Sequence, residues 1–232
     1  FDSLNLGNPN GCAVQDDYDR IWANYARLLS CIGCPTDPPL RVHQVHGKEV
    51  LEVRSGEGFD TACKGDALVS GDSRRAISVR TADCVPILLS SGDGCVVAAV
   101  HAGWRGIVAG VIPATLKRMM AATGERISTF RAAIGPCIGM EAFEVGAEVL
   151  AEFEKLFGRK APVRSNANGK GNVDLQIASR LQLLGCGIDE QYLDSTDRCT
   201  VTHLDEFFSH RRDHGITGRM AAIIAANGSE HV

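Results

Sequence analysis

Residues 96–110 read VVAAVHAGWRGIVAG, and the fold turns on how that stretch is parsed. Five apolar residues, 96–100, form a run short enough for a strand and too apolar for a surface one. His101 follows, and Gly103 and Gly106 then flank Trp104-Arg105 before apolar residues resume at helical spacing. The parse is therefore strand, glycine turn, helix start. Such a turn presents free backbone N–H groups and the positive end of a helix dipole, a ready place for an anion. Arg105 could add a two-pronged clamp for phosphate. The plainer alternative is that the glycines only let helix and strand pack closely. Neither a GxGxxG nor a P-loop spacing is present, so a dinucleotide or nucleoside-triphosphate fingerprint is absent.

Outward from this stretch, short β-branched runs recur at 49–53, 67–69, 76–79, 85–89, 131–134 and 220–224, bounded by Gly, Asp or Ser. These are expected to be strands. Helical spacing marks 18–29, 107–122, 145–157 and 175–184. Asp174 is placed to cap the last of these and Gly185 to stop it. Pro113 either kinks the helix 107–122 or marks its true first turn. Residues 31–39, with three prolines, and the polar stretch 164–172 read as loops. Strands and helices interleave without a regular βαβ rhythm. The expected class is α/β (α+β), a layered fold with mixed β-sheets flanked by helices, in one domain spanning 1–232.

The chain has 232 residues, 44% of them hydrophobic, and a formal net charge of −4. That charge excludes a bulk electrostatic attraction to nucleic acid or anionic membrane, so any bound anion must be gripped locally. No apolar run approaches the ~18 residues a membrane-spanning helix needs. No signal-peptide pattern opens the chain, which starts at Phe1 and so leaves room for a preceding segment. Nine scattered cysteines, an odd number, fit reduced thiols better than a disulfide framework. A cytoplasmic location is expected.

Three residues stand at strand ends or tight turns: His46 in QVHG, Cys84 in TADC and His101 in HAGWRG. Two imidazoles and a thiolate suit Zn²⁺, with a fourth position left open. A metal-free Cys84/His101 nucleophile pair and plain packing roles remain alternatives. Near the C-terminus, FFSHRRDHGITGR gathers Arg211, Arg212 and Arg219, which could hold a phosphate or carboxylate, although a solvated basic face explains them as well. Cys31-x-x-Cys34 has no second pair and lies in a loop. The turn GPCIG at 135–139 could bring Cys137 near the site or simply join a strand to a helix.

QVHG at 44–47, TADC at 81–84, HAGWRG at 101–106, GPCIG at 135–139 and the C-terminal SHRRDHGITGR, in that order, together resemble one family. It is the laccase-domain or polyphenol-oxidase-type proteins, reinterpreted as purine nucleoside phosphorylases with adenosine deaminase activity. The resemblance runs from about Asn5 to the C-terminus. It implies a fold similar to the catalytic domain of cytotoxic necrotising factor toxins, and it makes His46, Cys84 and His101 the metal ligands. His210 stands where the family more often has an aromatic residue.

What the resemblance implies is a zinc enzyme that cleaves adenosine or inosine with phosphate to free base and ribose 1-phosphate, and deaminates adenosine. Its partners would be nucleoside and phosphate; no nucleic acid or membrane partner is expected, and the oligomeric state is left open. Arg105, Arg211, Arg212, Arg219 and Gln44 are the expected substrate contacts. Cys84 and His101 form the catalytic centre, with Asp83 as a proton carrier, although strand alternation would point Asp83 away. The alternative is copper-dependent polyphenol oxidation, since a His₂Cys set also suits copper. A multicopper laccase needs more histidines than the seven present. A metal-free interaction module is a third reading.

Overall fold

A computed structural model describes residues 4–8, 14–34, 38–167 and 169–227. Its centre is a mixed sheet built on five strands: β1 (Val50–Val53), β2 (Ala67–Ser70), β4 (Val85–Ser90), β5 (Val97–Ala102) and β6 (Arg131–Ile134). A sixth, β10 (Leu193–Ser195), completes the order β1-β2-β5-β4-β6-β10, parallel at both outer pairs and antiparallel within. The central strands read as unbroken apolar runs because both faces are covered. Ala67, Val69, Ile87, Leu89, Ala98 and Val100 face one core, and Leu68, Val97 and Ala99 the other, with the period of two that a pleated strand imposes.

On the first face lie α3 (Val111–Thr123) and α5 (Leu175–Cys186). The second face is covered by a two-stranded ribbon, β3 (Ile77–Thr81) antiparallel to β11 (Met220–Ile224). Helix α1 (Tyr18–Cys31) closes the far side of that ribbon, packing Ile21 and Tyr25 against Leu6, Ala221 and Ile223. The layered, mixed-sheet expectation is met.

Several boundaries differ, each for a local reason. The single helix expected over 107–122 is two, α2 (Trp104–Ala109) and α3, because Gly110 takes a left-handed φ of 86° between them. Pro113 then stands in the first turn of α3, where its missing N–H is no loss. Helix α5 runs through Gly185 to Cys186 and stops at Gly187, whose φ is 105°. Buried Ile188 closes that end with its N–H on Leu183 O, a stop Gly185 does not have. Helix α4 (Ala147–Phe157) starts two residues late, since Val145 belongs to β7 (Glu144–Val145). The loop expected at 164–172 has strands at both ends, β8 (Val163–Ser165) and β9 (Gly171–Val173), and β9 pairs with β8 on one side and β7 on the other in a small sheet. Of the proline-rich stretch, residues 35–37 lie outside the described residues.

Candidate metal centre

Strand β5 runs two residues beyond its apolar stretch, so His101 lies inside it and not after it. Its backbone N–H bonds Asp66 O at 2.7 Å, just before β2 begins. The imidazole Nδ1 meets Asp66 Oδ1 at 2.8 Å, and both side chains are buried. A carboxylate accepts here, so Nδ1 carries the hydrogen and Nε2 is left for the opposite side, where Cys84 lies.

Asp66 does more than hold His101. Its carboxylate also takes three consecutive backbone N–H groups, from Val45 at 3.3 Å, His46 at 2.8 Å and Gly47 at 2.6 Å. His46 sits at φ 61°, a left-handed conformation costing a non-glycine residue roughly 1–2 kcal/mol. The charge-assisted bonds to Asp66 offset that strain. Burial works against ionising Asp66, but His101 and these N–H groups outweigh it and hold its carboxyl below the usual range. Asp66 therefore aims both histidines from a single buried position, and no motif pointed to it.

The donor atoms of His46, Cys84 and His101 all lie within 4.8 Å of one another. Among the described residues this is the one such group of three or more His, Cys, Asp or Glu. The two imidazoles meet edge to face with centroids 4.9 Å apart. Burial opposes ionising Cys84, yet the adjoining His101 and His46 pull the thiol below its ordinary value. Burial likewise opposes a charge on His101, and the Cys84 thiolate and Asp66 raise it. Two imidazole nitrogens and a low-pKa sulfur, braced by a carboxylate on the far ring nitrogen, fit a borderline-soft divalent ion. Gly103 is a consequence of this crowding: a Cβ there would lie 2.9 Å from His46 Cδ2 and 3.0 Å from Cys84 Sγ.

A cavity of about 400 Å³ opens over the three donors and is also lined by Gln44, Arg80, Asp83, Phe143, Arg211 and Arg219. A larger, mostly apolar cavity of about 610 Å³ lies among Leu6, Pro86, Phe207, Phe208 and Met220, but none of the three donors lines it. The chemistry belongs to the smaller cavity.

The remaining expected site residues divide. Asp83 lines the cavity because its φ of 88° breaks strand alternation. Its carboxylate accepts from Thr200 Oγ1 and from Arg211 N, each at 2.6 Å. Arg211 lies over the Phe143 ring and donates to Ala142 O and Glu144 O, and Arg219 donates to Thr217 O and Gly218 O. Gln44 spends its amide on the backbone of Arg80, at 2.7 and 2.9 Å.

Arg105 lies outside the cavity lining: it is exposed, and its guanidinium stacks on Trp104 at 4.4 Å. Arg212 faces the larger cavity, held by Asp213, Thr200 O and Phe207 O. Cys137 is a free thiol buried behind the site; its backbone pairs with that of Cys199 in a single β-bridge, and burial pushes its thiol up. Cys31 and Cys34 are free thiols at the end of α1, away from the cavity. Arg80, Phe143 and His43 line it without having been singled out, and His210, the departure from the family pattern, lines it as well. Arg80 lies in an alternating strand, where a charge ordinarily means a solvated face.

The chain is 38% identical over 224 residues to a protein named purine nucleoside phosphorylase YfiH from Shigella flexneri, covering 97% of this chain and 86% of that one. Among solved structures it is similar to YlmD from Geobacillus stearothermophilus, with a TM-score of 0.84 at 32% identity, over 97% of this chain and 85% of that one. It is also similar to the Bacillus licheniformis hypothetical protein YfiH, with a TM-score of 0.87 at 27% identity, over 98% and 87%. A family model described as multi-copper polyphenol oxidoreductase laccase matches residues 1–227, and the chain belongs to that family.

Proposed function

We propose that the protein is a zinc-dependent purine nucleoside phosphorylase that also deaminates adenosine. The observation that carries this reading is the convergence of His46, Cys84 and His101 beneath a cavity rimmed by arginines. The names of its relatives point to the same nucleoside chemistry. Zinc held by the three donors would supply Lewis acidity and a route to nucleophilic water near neutral pH.

The chain's own residues bind and orient. Asp66 fixes the His101 imidazole and the backbone of His46, and Phe143 offers an apolar wall against a purine. Arg211 and Arg219 provide positive charge at the rim, with Gln44 beside them. Asp83 is the acidic residue of the lining and can take or return a proton at its carboxylate oxygens. Arg105 and Arg212 take no substrate contact in this scheme. On this reading the chain is one domain that works in the cytoplasm. Separately, no helix among the described residues is long and apolar enough to cross a membrane.

Chromatography of the products tests the proposal. Inosine with phosphate should give hypoxanthine and ribose 1-phosphate, and adenosine alone should give inosine slowly. A second reading, copper-dependent phenol oxidation, draws on the family's description and the His₂Cys donors. Phenol turnover without nucleoside turnover would establish it instead.

A further inference from the structure

Beside the main cavity lies a smaller one of about 220 Å³, faced by Arg41 and Arg80 together with Asn8, Tyr18 and Trp22. Among the described residues no carboxylate lines it and neither arginine forms an ion pair. Arg80 and Asn8 line both cavities, so the two share a wall.

Both guanidinium groups are held in place without being neutralised. Arg80 is pinned through its backbone by the Gln44 amide, and its side chain runs in a slot against Gly7. A Cβ at Gly7 would stand 2.6 Å from one terminal nitrogen of Arg80 and 2.9 Å from Cδ, so glycine is what leaves room. Within this slot Arg80 Nε is buried and has no hydrogen-bond partner. Arg41 lies over the Trp22 ring at 5.5 Å. Burial weighs most against the charge on Arg80; the Tyr25 hydroxyl favours it, and the charge of Arg41 opposes it. An anion in the pocket would meet both positive charges at once and offset that cost. Their planar forks match a tetrahedral phosphate group.

We propose that the Arg41–Arg80 pocket is a binding site for a phosphate group, either free inorganic phosphate or the phosphate of a sugar phosphate. Its assignment as the co-substrate site rests on the phosphorolysis reading; its capacity to bind the anion does not. In that reaction a phosphate oxygen forms a bond to C1′ of the ribose while the C1′–N9 bond breaks. The electron pair leaves with the purine, which takes up a proton. Arg41 and Arg80 would hold the phosphate at the wall that the two cavities share.

The test is calorimetric titration of the full chain with inorganic phosphate, at ionic strength fixed by chloride. Saturable one-to-one binding is expected, weakened at least about 10-fold by Arg80→Gln and by Arg41→Gln, and unchanged by Arg105→Gln. Arg41→Gln, at the rim, decides the matter if Arg80→Gln disturbs folding by circular dichroism. Absence of binding to the wild type, or wild-type affinity in folded Arg41→Gln, overturns the proposal. Competition by ribose 1-phosphate identifies a shared site for both sources; lack of competition assigns it to the free ion. Variant-sensitive phosphate binding without inosine cleavage would keep the anion site and sink the phosphorolysis reading. Phosphorolysis whose phosphate KM is untouched by Arg41→Gln would do the reverse.

Discussion

At the scale of single residues, the candidate centre depends most on a side chain that ligates nothing. Asp66 sets the left-handed turn at His46 and the orientation of His101 at once. Removing a carboxylate that braces a metal-binding histidine usually costs ~10–100-fold in metal affinity. Asp66→Asn should show a loss of that size in competition with a chromophoric chelator, and equal affinity in the two proteins would refute the role. The three donors were legible in the sequence because each sits in a short, distinctive motif beside glycine. Asp66 was not, because its partners lie 19 to 35 positions away and become neighbours only when β2 pairs with β5. Arg105 misled for the opposite reason: its motif lies next to the site, while its side chain finds Trp104 first.

At the scale of elements, the turn between β2 and β3 is built on Asp72, almost wholly buried. It accepts from Arg74 N at 3.0 Å and from Arg75 Nε at 2.8 Å. Burial opposes its ionisation, but the Arg74 N–H and the Arg75 guanidinium prevail and hold its pKa below the ordinary value. A lowered carboxyl pKa stabilises the fold above the unfolded value and loses that stabilisation as pH falls through the folded one. Asp72→Ala should therefore cost about 1.5–3 kcal/mol at pH 7. The deficit in urea unfolding should shrink in acid; a deficit independent of pH would contradict this account. The break between α2 and α3 makes a second case. Gly110→Ala must force a side chain into φ 86°, at roughly 1–2 kcal/mol, visible as a lower Tm with metal content unchanged. An unchanged Tm would mean that the helices re-form without that turn. Here the sequence did carry a signal, since a proline three residues after a glycine marks a helix start better than a kink.

At the scale of the whole molecule, the apolar runs of β2, β4 and β5 were legible because both faces of these strands are covered. The short strands β7 to β10 were not, being two or three residues each and held by tertiary partners rather than by their own pattern. The layers matter to function because β5 carries His101 out of the core to the point where the loops bearing His46 and Cys84 close over it. The most direct test of that convergence is the elemental content of protein purified without added metal, for the wild type and for Cys84→Ala and His101→Ala. About one zinc per wild-type chain, and almost none in either folded variant, is the expected result. Equal metal content in wild type and variants would contradict it, and copper in place of zinc would contradict the zinc assignment.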